Sequence, residues 1–226
     1  MTTITRRTCL NLKKIYDLSV TLLPHMPIWP TNPMPEIVPI GIVSRDGYNV
    51  EKLDFSTHTG THIDAPYHFD ERGTTVDKID LNVLVNKGYC IRPKYNSKQE
   101  ITAEALKAVW RPEYDGKTIL IDTGWSKKRA FTREFLYEFP GLSMDGAEFI
   151  MEHKVKLVGI DTLGIEPYHH TDFHVHKRLL GAGVTVIEDL ANLDQLQEGK
   201  EYLVVALPVK VGNGSGAMAR VIAIEE

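Results

Sequence analysis

Cysteine is nearly missing from this chain: Cys9 and Cys90 are the only two in 226 residues. They stand far apart, with no histidine or cysteine neighbour at metal spacing. That excludes a disulfide framework and a cysteine-rich zinc site, and leaves two free thiols in a reducing compartment. Long apolar runs are lacking too, none approaching the roughly 18 residues of a membrane span. The opening MTTITRRTCLNLKK has an Arg-Arg pair but not the apolar run of about 7–15 residues that an export signal needs. A cytoplasmic protein without a membrane partner is expected. No basic block stands out, and 26 Lys and Arg against 30 Asp and Glu give a net charge of −4, so the electrostatic footprint of a nucleic-acid binder is absent. Repeats and low-complexity segments are also lacking. With 42% hydrophobic and 25% charged residues, the composition is that of a folded globular chain.

What is present reads as one α/β domain over residues 15–226, preceded by a loose polar arm over residues 1–14. IYDLSVTLL predicts an early strand. Five prolines between Pro24 and Pro35 then rule out a ladder, so residues 24–36 form an extended loop. EIVPIGIVS, the turn RDGYN and VEKLDFSTHTGTHID predict a strand, a hairpin-like turn and a long second strand. ITAEALKAVW has a helical apolar pattern, and KTILIDTGW reads as a buried strand. LSMDGAEFIMEHK reads as a helix with Ser143 as N-cap, followed by the strand VKLVGIDT, an order that predicts a parallel βαβ crossover. VTVIED, EYLVVALPVKV and ARVIAIE are further strands, the last two separated by GNGSGAM. The sheet is therefore mixed and strand-rich, with a few packed helices.

The stretch STHTGTHIDAPYHF concentrates His58, His62, Asp64 and His68 within eleven positions. On a strand, His58, Gly60, His62 and Asp64 share one face, while Thr57, Thr59, Thr61 and Ile63 share the other, an all-β-branched packing face. Two imidazoles and a carboxylate, with a glycine leaving room between them, suit zinc, manganese or iron. Pro66 ends the strand, so His68 stays close without ligating. The plainer alternative is a polar strand face with hydrogen-bonded histidines, which suits a lone histidine better than this set. A second cluster, HHTDFHVH, holds His169, His170, His174 and His176, and Glu188 follows twelve residues after His176. One histidine and one glutamate would complete a two-metal cage with Asp64 bridging, although four histidines serve equally well as a solvated loop. His25 and His153 read as structural or surface residues. GNGSG around Ser215 has the letters of a nucleophile elbow but is followed by a strand, not a helix. Trp110 and Trp125 read as packing residues, and Trp29, in the proline-rich loop, as packing or a substrate contact.

HTGTHIDAPYHF closely resembles the signature of the metal-dependent cyclase and kynurenine formamidase family. Local echoes extend from YDLSVTL and PIWP through TILIDTGW, FPGLS and VGIDTLGIEP to HKRLLGAGVTVIEDL and LPVKVGNGSGAMARVIAI. The resemblance implies a swivelling β/β/α fold and two divalent metals per subunit, zinc first and manganese as the other choice. One metal would be held by His58, His62 and Asp64, the second by Asp64, His176 and Glu188. His68 would be the catalytic histidine and Trp29 an aromatic substrate wall. A homo-oligomer, dimer or tetramer, is implied, with N-terminal segments reaching the neighbouring subunit. The chain departs from the family pattern at Thr31 and Asn32, at Gly164 and Glu166, and in its histidine-rich loop. The implied activity is hydrolysis of an amide C–N bond in a small molecule, an aryl formamide such as N-formylkynurenine. A cyclic-amide hydrolase of isatin type, a cyclase, and a metal-binding protein without catalysis are the competing readings.

Overall fold

The computed structural model describes residues 14–225. The arm expected over residues 1–14 lies outside the described residues except for Lys14, and so does Cys9. Lys14 already belongs to a strand. In chain order the elements are β1 (Lys14–Asp17), β2 (Glu36–Gly41), α1 (Val43–Asp46), β3 (Val50–Asp54), β4 (His62–Asp64), α2 (Leu81–Leu84), β5 (Val85–Ile91) and β6 (Glu100–Ile101). There follow α3 (Ala103–Val109), β7 (Thr118–Ile121), α4 (Arg133–Tyr137), β8 (Gly141–Leu142), α5 (Met144–Glu152), β9 (Leu157–Ile160), α6 (His174–Gly181), β10 (Thr185–Glu188), β11 (Glu201–Pro208) and β12 (Gly216–Glu225).

The main sheet runs β1-β12-β11-β5-β7-β9-β10-β4, and a further pairing of β12 with β4 closes seven of these strands into a barrel. The length of β12 makes this possible. Its first residues pair with β4, Gly216 opposite Asp64, and its last with β1, Ile222 opposite Asp17. The expected crossover is present: β7 and β9 lie parallel, and Ser143 caps α5 by accepting from the Gly146 N–H.

Strand alternation separates two cores. Ile63, Cys90, Leu120, Leu157, Ile187, Val204 and Val221, one from each barrel strand, are buried together, which puts this cluster inside the ring. Ile119, Ile121, Val158, Ile160 and Val186 face the other way and pack on Leu106, Ala147, Ile150, Val175 and Leu179 of α3, α5 and α6. Ile63 is fully buried between His62 and Asp64. Its burial contributes about 1.5–3 kcal/mol and sets the register, since a slip of one residue would turn His62 and Asp64 into the barrel. Among the described residues no helix is long and apolar enough to cross a membrane.

Three expected elements differ from the sequence pattern. The early strand ends at Asp17, followed only by a bridge from Ser19 to Leu190. The turn after β2 contains the short helix α1, closed by Gly47 at φ 80°. The long strand expected over residues 50–64 is two strands in different sheets: β3 pairs with β2 in a separate hairpin, while β4 belongs to the barrel. Gly60 marks the break. Its φ of +62° is left-handed, so alternation cannot run from His58 through to Asp64.

Candidate metal centre

Two residues of β4 and one of β10 begin the site. On these antiparallel strands Glu188 lies directly opposite His62, so both side chains leave the same face, the one covered by helices. Asp64 follows on that face, and His176 reaches it from the first turn of α6. His62, Asp64, His176 and Glu188 are all buried. His62 Nε2 lies 3.2 Å from Asp64 Oδ1 and 3.4 Å from Glu188 Oε2. His176 Nε2 lies 2.9 Å from Glu188 Oε1 and 4.0 Å from Asp64 Oδ2.

His58 arrives from the turn instead of the strand. Its Nδ1 is 2.7 Å from Asp64 Oδ1 and its Nε2 is 3.0 Å from Ser215 Oγ. Gly216 makes room for it, because a Cβ there would stand 2.6 Å from His58 Cε1. Gly60 has a different role from the vacancy expected of it. A Cβ on Gly60 would meet Leu22 and Val20, so this glycine faces apolar packing and serves the turn. His68 stacks on His58 with ring centroids 4.0 Å apart. Two donor sets result, His62–Asp64–Glu188 and His58–Asp64–His68, each with its atoms within 4.8 Å and both sharing Asp64.

The donors fit a divalent cation. His62 Nε2 and Asp64 Oδ2 are buried without a hydrogen-bond partner, a costly arrangement unless something else engages them. Burial disfavours charge on His62, yet the facing carboxylates of Asp64 and Glu188 outweigh it and hold the imidazole up to about 10. Burial is likewise outweighed at His176, which Glu166 and Glu188 hold up to about 10. Burial alone would raise the Asp64 carboxyl, but His58 and His62 keep it well below the usual range. The carboxylates therefore attract positive charge strongly enough to keep protons on two buried imidazoles. A metal would replace those protons, so affinity for it falls as the pH is lowered.

Several site residues were not read from the sequence as such. Glu166 Oε1 accepts from His176 Nδ1 at 2.5 Å and from the His176 N–H at 2.9 Å. It thereby holds the Nδ1 proton and turns Nε2 toward Glu188, where a metal that displaced the Nε2 proton would find the lone pair. Glu166→Gln is expected to weaken divalent-metal affinity about 10–100-fold, measured by competition with a chromophoric chelator; unchanged affinity would remove this role. Glu188 is steadied by the Ile165 N–H, which donates to Oε1 at 2.6 Å. Asp189 also lines the pocket and pairs with the half-buried Arg129, whose other arm donates to the Pro27 carbonyl at 3.0 Å. Arg129 thus ties the end of β10 to the loop carrying Trp29.

The donors open into a cavity of about 310 Å³, lined on its apolar side by Ile28, Trp29, Phe69, Leu163 and Phe173. Trp29 also packs against Phe139, Tyr168 and Phe173. Gly164 permits this, since its Cβ would stand 3.1 Å from the indole. Trp110 and Trp125 are packing residues: the first stacks edge-on to Tyr114, Phe149 and His153, and the second donates to the Phe135 carbonyl. Cys90 is buried in the barrel as a free thiol.

A single α/β domain with a buried His/Asp/Glu donor set on a closed sheet defines the class. The sequence model of the family described as "Putative cyclase" matches residues 16–167, and the chain belongs to that family. The kynurenine formamidase of Geobacillus thermodenitrificans is 32% identical over 209 residues, covering 90% of this chain and 94% of that protein. A solved structure described as a potential metal-dependent hydrolase with cyclase activity superposes with a TM-score of 0.79 at 32% identity, over 94% of this chain and 98% of the other. Isatin hydrolase A from Labrenzia aggregata superposes with a TM-score of 0.82 at 26% identity, over 93% of each chain.

Proposed function

We propose that the protein hydrolyses the amide C–N bond of an aryl formamide such as N-formylkynurenine, releasing the aromatic amine and formate. It is a metal-dependent hydrolase acting on a non-peptide C–N bond. The observation that carries this reading is the convergence of His62, Asp64, His176 and Glu188, with His62 Nε2 and Asp64 Oδ2 buried without a hydrogen-bond partner. Two ions, zinc in the first place, would share Asp64, with His58 and His62 on one side and His176 and Glu188 on the other. A bound divalent ion lowers the pKa of water from 15.7 to about 7 and polarises a carbonyl oxygen.

The chain's own groups supply the rest. Burial, reinforced by the neighbouring His58 and His176 and opposed by Asp64 and Glu188, pushes His68 down to about 4. It is therefore unprotonated at neutral pH, as a general base must be. It takes a proton from the attacking water and returns one to the departing anilide nitrogen, so the acceptor is restored when the C–N bond breaks. Trp29, Phe69 and Phe173 form the aromatic wall that holds the aryl ring.

A second reading has a specific observation behind it. Ser215 Oγ, His58 and Asp64 form a hydrogen-bonded chain with the connectivity of a serine hydrolase triad. It ranks second because it leaves His62 Nε2 idle and places Ser215 in the turn before a strand, not on a strand-to-helix elbow. One assay separates the two. Dialysis against a chelator should abolish turnover of formylkynurenine, isatin or a simple aryl formamide, and zinc or manganese should restore it, with Ser215→Ala retaining most activity. Full turnover in the chelated protein, lost on Ser215→Ala, would reverse the order; no turnover by stoichiometrically loaded protein would point to metal binding without catalysis on these substrates.

The proposal extends to a cytoplasmic homo-oligomer, a dimer or tetramer. The β2–β3 hairpin supports it, exposing Val38, Ile40, Tyr48, Val50 and Leu53, an apolar surface that a second copy would cover.

A further inference from the structure

A second group of nitrogen and oxygen donors lies away from the central cavity. Glu100 sits in β6, and His169 and His170 lie in the loop before α6. One donor atom from each lies within 4.8 Å of the others. His170 Nε2 is 3.4 Å from Glu100 Oε1, and the two imidazole rings are 4.7 Å apart at 82°. Asn96 donates to the other oxygen of Glu100 at 3.1 Å, leaving Oε1 on the histidine side. Gln99 lines the same groove, and its Oε1 is buried without a hydrogen-bond partner.

The second nitrogen of His170 sharpens the case. Its Nδ1 lies 3.1 Å from Glu166 Oε2, and its side chain is only 8% exposed. With the proton on Nδ1, the lone pair of Nε2 points toward Glu100. Glu166 therefore stands behind two histidines, one on each oxygen. His176 presents its far nitrogen to the central site, and His170 presents its own to the groove. A carboxylate behind an imidazole is the usual support of a ligating histidine.

We propose that Glu100, His169 and His170 form an accessory site for a divalent ion of the zinc, cobalt or nickel type. Two imidazoles favour such ions over magnesium or calcium. The overlapping group Glu166, His170 and His174 is a poorer choice. Its carboxylate is already held by His176 and by the backbone N–H of Val175 and His176, and His174 is engaged by Asp172 at 2.7 Å. The accessory site borders solvent and takes no part in the reaction proposed above.

The test is metal stoichiometry. Protein stripped with a chelator is dialysed to equilibrium against zinc and, separately, titrated with cobalt and followed by visible absorption. Glu100→Gln and His169→Ala should each bind one equivalent fewer than wild type, with unchanged turnover and loss of one component of the cobalt spectrum. Asp64→Asn should keep that equivalent, which separates this site from the central one. Equal stoichiometry and equal cobalt spectra in wild type, Glu100→Gln and His169→Ala would overturn the proposal, whatever Asp64→Asn shows.

Discussion

Asp64→Asn should leave a folded protein with almost no central metal and turnover reduced at least about 10³-fold, beyond the roughly 10–100-fold typical of an outer partner. The substitution keeps the shape and removes the charge. Asp64 is the one residue common to both donor sets, and both of its oxygens face imidazoles: His58 and His62 at Oδ1, His176 at Oδ2. An amide presents one oxygen and one N–H₂, so one side of the shared contact becomes a donor facing donors. Metal analysis after gel filtration, alongside circular dichroism, measures the effect. Wild-type metal content in folded Asp64→Asn would refute the shared carboxylate.

The second large effect is on chemistry alone. His68→Ala should retain metal and lower kcat about 10²–10⁴-fold, the contribution usual for a positioned acid–base group. His68 sits in the turn after β4, its N–H bonded to the Ala65 carbonyl, so truncating the side chain leaves β4 untouched. Because its imidazole is pushed down to about 4, wild-type kcat/KM should stay flat from neutral pH down toward that value unless metal loss intervenes. Steady-state kinetics with metal content measured on the same samples decides the matter. Normal turnover at normal metal content would remove His68 from the proton transfer.

Much of this was legible in the chain because strands write their two faces in alternate letters. His62, Ile63 and Asp64 point out, in and out, as the pattern required, and the Ser143 cap announced α5. The break at Gly60 was not legible. A run of threonines and histidines reads as a strand whether or not a ladder partner exists, and only tertiary pairing assigns β3 and β4 to different sheets. Glu166 and Ser215 were hidden for another reason. They act through contacts to residues such as His176 and His58, 10 and 157 positions away, and no periodicity encodes such distances.

The three-residue strand β4 is the stave that makes the ring of strands whole, held by β10 along one flank and β12 along the other. An ion held by Asp64 on that stave, Glu188 on β10 and His176 on α6 would act as a rivet driven across the joint. Springing the stave and losing the ion would then be one event, so the slow escape of metal would clock how often the hoop comes open.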